Sequence, residues 1–82
     1  MLKVWGVEEK ARRILQAAAV DAFGRPGVFV LLSAVMKQAN ITDEEEGRAI
    51  VEYLEWQGWI DEADANYGVF VLTTKGIDIS EH

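Results

Sequence analysis

Cysteine is absent from the 82 residues of this chain, and histidine occurs once, as the last residue, His82. Without cysteine the chain forms no disulfide, binds no zinc through thiolates and has no thiol nucleophile. A histidine at a chain end is expected to be mobile, which is more typical of a frayed terminus than of a ligand. We therefore expect no enzyme, no metal site and no cofactor.

Long apolar runs are also missing. No stretch approaches the roughly 18 residues that a membrane-spanning helix needs, and the N-terminus does not have the layout of a signal peptide. These features predict a cytoplasmic protein with no membrane partner. Because half of the residues are hydrophobic, a packed globule is expected, and we predict a single domain over residues 1–82.

Basic residues are scarce in the second half of the chain. Residues 1–42 contain six basic and three acidic residues, whereas residues 43–82 contain two basic and eleven acidic residues, and the net charge is −6. This division of charge predicts either self-association of unlike surfaces or a cationic partner.

The first half of the chain predicts one long helix, helix 1, at about residues 7–23. Its apolar stripe at helical spacing consists of Val7, Ala11, Ile14, Leu15, Ala18 and Ala22. Val20 and Phe23 lie off this stripe. They either pack on other parts of the same domain or form a helix-1 contact between two copies.

A break at residues 24–27 (GRPG) follows helix 1. The next segment, about residues 28–39, is almost wholly apolar at its start and is predicted to hold a short first strand and helix 2. Val28–Val30 favours a strand by composition, although the sequence leaves strand and helix open for these three residues. Ser33–Ala39 favours helix 2.

A capped helix, helix 3, is predicted at about residues 43–57. Thr42 followed by Glu45 is a capping-box signature, and Gly58 fits the position after the helix, where left-handed backbone favours glycine. The predicted buried face consists of Gly47, Ile50, Val51 and Leu54. Residues 43–46 (DEEE) fit a solvated helix start better than a calcium loop, which alternates its carboxylates around a turn glycine.

A β-hairpin is predicted directly after helix 3. Its strands lie at about residues 59–62 and 67–72, and Ala63–Asn66 forms the turn. In the second strand, Tyr67, Val69 and Val71 alternate with Gly68, Phe70 and Leu72. Thr73 or Thr74 is then expected to cap a last helical turn.

Two stretches of this region resemble a known superfamily. Residues 50–60 (IVEYLEWQGWI) resemble the I-V-x-x-L-x-x-x-G-x-I pattern that closes the third helix of winged helix-turn-helix regulators. Residues 70–76 (FVLTTKG) resemble the x-x-L-T-x-K-G pattern that ends the wing in MarR-like and PadR-like families. The likeness covers about residues 28–77. It implies an α+β winged helix-turn-helix fold with a three-helix core and a C-terminal β-hairpin wing, in a transcription-regulator-type domain that often binds DNA.

The face of helix 3 opposite its buried stripe is the candidate interaction surface. It consists of Glu44, Glu45, Arg48, Glu52, Tyr53, Glu55 and Trp56. Tyr53 and Trp56 are neighbours on one edge of the helix. They either cover parts of the monomer or form an aromatic anchor with an acidic rim, as in protein-binding hot spots.

The charge of this face disfavours nucleic acid. Affinity for DNA rests largely on cations that replace phosphate counterions, and helix 3 has one arginine against six acidic residues. The sequence therefore predicts a non-enzymatic regulatory module that binds a protein, or a second copy of itself, through helix 3 and the wing. The alternative is a DNA-binding transcriptional regulator that acts as a dimer or through a non-standard surface. Lys10, Arg12 and Arg13 are its candidate basic patch.

Overall fold

Four helices and three strands make up the part of the chain that the structure describes. A computed structural model describes the backbone of residues 2–64 and 68–81, and the side chains of residues 8–63 and 68–81. In chain order the elements are α1 (Leu2–Asp21), β1 (Val30–Leu31), α2 (Leu32–Gln38), α3 (Glu44–Trp56), β2 (Ile60–Asp64), β3 (Val69–Leu72) and α4 (Thr74–Ser80). Within those ranges, no helix combines the length and the apolar character needed to cross a membrane.

The strands form one antiparallel sheet in the order β1-β3-β2. β1 pairs with β3 through Val30 opposite Phe70, and β2 pairs with β3 through Ile60 opposite Leu72. All four of these side chains are buried. The alternation predicted for β3 is confirmed over the described residues, and Phe70 and Leu72 are its inward-facing members. The α+β class is confirmed, and the layout is compatible with a winged helix.

The core lies where α1 and α3 meet each other and the inner face of the sheet. Five members of the predicted α1 stripe are buried, namely Ala11, Ile14, Leu15, Ala18 and Ala22, while the side chain of Val7 lies outside the described residues. The predicted α3 stripe of Gly47, Ile50, Val51 and Leu54 is buried as well. Because alanine side chains are short, α1 can pack closely against α2, α3 and α4.

The bounds of α1 differ from the prediction of residues 7–23. The helix begins at Leu2 and ends at Asp21. It continues through Gly6, because a single glycine costs only about 1 kcal/mol relative to alanine in a helix. At the other end, the backbone turns left-handed at Phe23, with a φ of 56°. A residue with a side chain is disfavoured in that conformation by roughly 1–2 kcal/mol.

Both ends of α3 have defined caps. The expected Thr42 capping box is wrong, since Asp43 is the N-cap and its Oδ1 accepts a hydrogen bond from the Glu45 backbone N–H at 3.0 Å. Aspartate caps helices at least as well as threonine does. At the C-terminal end, the prediction for Gly58 is confirmed by its φ of 79°. The Trp59 N–H donates to the Leu54 carbonyl at 3.0 Å, as expected for a Schellman motif.

In the segment after the first loop, the structure shows where the first strand ends and helix 2 begins, which the sequence left open. β1 occupies Val30–Leu31, and α2 starts at once with Leu32. In the hairpin, β2 extends to Asp64, beyond the predicted end at residue 62, and β3 begins at Val69. The prediction of a turn is therefore wrong for Ala63 and Asp64, which continue β2, while the rest of the predicted turn and Tyr67 lie outside the described residues.

α4 is held against the start of β2. Thr73 is its N-cap and accepts a hydrogen bond from the Gly76 N–H at 3.0 Å, and its hydroxyl donates to the Gly58 carbonyl at 2.8 Å. A Cβ at Gly76 would overlap the carbonyl group of Trp59. Glycine is therefore needed for this close approach of two backbones.

Candidate functional site

A groove of about 240 Å³ runs between α2, α3 and the β2–β3 hairpin. Its apolar floor is formed by Met36 from α2, Val51 from α3 and Phe70 from β3, all of them buried core residues. Val51 reaches the floor because it sits at the edge of the α3 stripe, and Phe70 because it faces inward from the central strand. We refer to this feature as the α3 groove.

The rim of the α3 groove is mostly acidic. It carries the carboxylates of Glu44, Glu52 and Glu62 and one guanidinium, that of Arg48. Across the described residues, none of these four side chains makes an ion pair or a hydrogen bond. With three unpaired carboxylates and one guanidinium, the rim has a net negative charge with which a ligand can interact.

The helical spacing of α3 explains how its rim side chains line up. Glu44, Arg48, Glu52 and Trp56 follow one another four residues apart, which places them on one side of the helix. All four are exposed, as are Glu45 and Glu55. The structure thus brings the predicted outward residues to one surface of α3, of which Glu44, Arg48 and Glu52 also border the groove.

Trp56 and Tyr53 have different surroundings, although they were predicted as a pair. Trp56 is 85% exposed at the end of α3. Tyr53 is half-buried, packs against the core and meets the ring of Trp59 edge-on, with ring centroids 6.3 Å apart. Of the two alternatives left open for the pair, Tyr53 therefore follows the one in which it covers part of the monomer, because Trp59 reaches it from beyond the end of the helix.

The predicted basic patch on α1 is largely neutralised by acidic neighbours. The Lys10 Nζ donates to Glu46 at 2.6 Å, and the Arg13 guanidinium donates to Glu9 at 3.0 Å. Arg12 lies beside a separate cleft that Tyr53 also lines. The three residues therefore do not form one cationic surface, since only Arg12 lacks an acidic partner among the described side chains.

Glu62, on the hairpin wall of the groove, was not among the residues predicted for the site, although the wing was predicted to take part. Glu62 faces Phe70 across the β2–β3 ladder, two positions beyond the inward pair of Ile60 and Leu72. Strand alternation counted from Ile60 places Glu62 on the inner side of β2. That signal is present in the sequence, but the residues predicted for the surface came from helix 3 alone.

Two further findings complete the description of the site. In the ranges 8–63 and 68–81, no three carboxylate or histidine side chains are grouped so that they would hold a metal ion. Comparison with known proteins found no matching family model, no matching curated protein and no matching solved structure.

Proposed function

We propose that this chain is a winged-helix binding module without catalytic activity, and that the α3 groove binds a positively charged segment of a partner protein. The observation that carries the proposal is the combination of three unpaired carboxylates with an apolar floor. The same surface of α3 continues to Trp56, which gives a ligand an aromatic contact beyond the groove.

The order of the elements supports the winged-helix assignment. Three helices and a short strand precede a hairpin whose second strand is central, in the sheet order β1-β3-β2. The left-handed Gly58 turns the chain from α3 directly into β2. In this fold α3 is the recognition helix, and the β2–β3 hairpin is the wing.

The chemistry of the groove suits lysine or arginine side chains. Each of these residues has an apolar stem and a cationic end. The stem would contact Met36, Val51 and Phe70, while the cation would interact with the carboxylates of the rim. Burial of the stem adds to the ion pair, which by itself is worth little at an exposed site.

Duplex DNA is less well supported as a ligand of α3. Phosphates would approach Glu44, Glu52 and Glu62, so association would meet repulsion where DNA-binding proteins release counterions. The alternative patch on α1 offers Arg12, because Lys10 and Arg13 are paired with carboxylates. A DNA-binding regulator acting through another surface or as a dimer remains the competing hypothesis that the experiment below tests.

A peptide titration would test the proposed function. The probe is a short fluorescent peptide that alternates lysine and leucine, and the comparison ligands are the same peptide with glutamate for lysine and a DNA duplex. We expect the lysine peptide to bind and its affinity to fall as salt rises, because salt screens charges at the rim. The glutamate peptide and the duplex should bind much more weakly.

Two double variants with the same change in net charge test whether the lysine peptide binds in the α3 groove. Glu52→Lys/Glu62→Lys reverses two rim charges and should weaken binding of the lysine peptide by at least about tenfold, equal to about 1.4 kcal/mol. Glu45→Lys/Glu55→Lys makes the same change in net charge on exposed α3 residues outside the groove, and should have a smaller effect. Equal losses in both variants, or tighter binding of the duplex than of the peptide, would contradict the proposal.

A further inference from the structure

The last turn of α1 and the turn that follows it each expose one apolar side chain. Val20 is 71% exposed and Phe23 is 86% exposed. The sequence allowed them either to pack within the domain or to form a contact between two copies, and the described part of the chain does not cover them. Large apolar side chains that stay in water within one small area mark an interaction surface.

Phe23 is unusual in its backbone as well as in its exposure. It occupies the left-handed position just after the α1 cap, where the Gly24 N–H donates to the Ala19 carbonyl at 2.9 Å. Glycine or asparagine is preferred there. Phenylalanine is therefore unfavourable at this position for two reasons, the left-handed backbone and the exposure of the ring to water. Positions at which a residue is unfavourable in several respects tend to be functional.

A shallow hollow borders Phe23, which itself forms part of its wall. The other walls come from α1 and α4, through Ala19 and Val20 on one side and Ile77 and Ser80 on the other. The same face of the molecule therefore has a projecting aromatic ring and an apolar depression. This combination suits a twofold interface, because each copy then supplies both the projecting group and its receptor.

We propose that the α1–α4 face binds a second copy of this chain, with Phe23 of each copy seated in the hollow of the other. The Phe23 rings and the Val20 side chains would then leave water together. The contact uses α1 and α4, whereas the α3 groove uses α2, α3 and the hairpin, so the inference does not depend on the proposed function.

Charge complementarity at the rim supports a second copy as the occupant. Arg25 follows Phe23 by two residues, and Glu81 lies at the edge of the hollow. Both are exposed, and neither makes an ion pair among the described residues. In the proposed dimer we pair Arg25 of one copy with Glu81 of the other, and the twofold axis repeats the pair.

The small size of this face points to a weak dimer. Standard stable interfaces bury about 800 Å² on each partner, and the apolar part here consists of a few side chains. We expect monomer and dimer to exchange at micromolar to millimolar protein concentration. Sedimentation velocity over that range, on the whole chain, measures the dissociation constant directly.

Phe23→Gly is the decisive variant. It removes the ring and replaces it with the residue that the left-handed position prefers, so the monomer should be at least as stable as before. The dissociation constant of the dimer should rise by at least about tenfold. Phe23→Asn serves as a second variant that also tolerates this backbone. Trp56→Ala removes an equally exposed ring from α3 and should leave the dimer unchanged.

A charge exchange tests the geometry of the pair. Arg25→Glu and Glu81→Arg should each weaken the dimer, and the double variant should restore most of the affinity, because it reverses both charges of the same pair. A monomeric parent protein throughout the concentration range would mean that something other than a second copy covers Phe23, and would overturn the proposal. The proposal would also be overturned if Phe23→Gly and Phe23→Asn left the dimer intact. The same holds if the Arg25→Glu/Glu81→Arg double variant dimerised as weakly as each single variant.

Discussion

The inner and outer sides of α3 follow the same helical spacing but meet opposite surroundings. On the inner side, Ile50 and Leu54 are fully buried, and a Cβ at Gly47 would overlap the thioether of Met36. On the outer side, Glu52 and Trp56 are exposed, and their side chains make no hydrogen bond or ion pair within the described ranges. Packing of the core therefore determines which amino acids the inner side can have, whereas it does not constrain those on the outer side. The amino acids on the outer side instead indicate what the helix contacts in solution.

The largest effect is expected on the inner side. Leu54→Ala should lower the free energy of unfolding by about 2–5 kcal/mol, because it leaves a cavity at a fully buried position. Urea denaturation followed by circular dichroism measures this loss. Glu52→Ala is the matched control on the outer side and should change stability by less than about 0.5 kcal/mol. A loss below about 1 kcal/mol for Leu54→Ala would show that the inner side has been assigned wrongly.

An intermediate effect is expected when the charge of the outer side is reversed. The unmodified protein should bind duplex DNA weakly or not at all at physiological salt. Glu44→Lys/Glu45→Lys/Glu52→Lys should create binding that depends on salt and not on base sequence, because the added cations release phosphate counterions. Fluorescence anisotropy at several salt concentrations measures both properties.

The matched glutamine variant separates loss of repulsion from gain of attraction. Changing the same three glutamates to glutamine removes negative charge without adding cations, so binding of the duplex should remain weak. Submicromolar, sequence-selective binding by the unmodified protein would overturn the proposal that α3 binds a cationic protein segment.

The smallest effect on stability is expected at Trp56. Trp56→Ala should change the free energy of unfolding by less than about 0.5 kcal/mol, because the ring is 85% exposed. The same variant should weaken binding of the lysine peptide by more than about 1 kcal/mol if Trp56 anchors the ligand. Melting curves and peptide titrations on one protein preparation measure the two effects.

Tyr53→Ala provides the comparison for Trp56→Ala. Because Tyr53 is half-buried against Trp59, its loss should reduce stability more than the loss of Trp56 does. If Trp56→Ala instead destabilises the protein as strongly as Leu54→Ala does, then Trp56 belongs to the core and is not part of the candidate surface.

The features that the sequence predicted well depend on near neighbours in the chain. The buried stripe of α3 follows from spacing, the left-handed turn at Gly58 from a single residue type, and the alternation in β3 from the two-residue period of a strand. These patterns act over a few residues, and tertiary packing reinforces each of them. The acidic outer side of α3 was predicted for the same reason.

The features that the sequence did not predict depend on distant partners. Lys10 and Glu46 are 36 residues apart, and their ion pair divides the expected basic patch. Tyr53 is half-buried because of Trp59, which a helical wheel of α3 does not include. The α3 groove exists only once Met36 from α2 and Glu62 from β2 come together. Such contacts are set by how elements pack, and periodicity carries no information about that.

The position of β3 at the centre of the sheet also has a consequence for the time course of folding. β1 is synthesised early, yet the partner of Val30 is Phe70, forty residues later in the chain. Closing so long a loop is entropically unfavourable until the intervening helices have formed. An emerging polypeptide therefore cannot complete its sheet until β3 has left the ribosome.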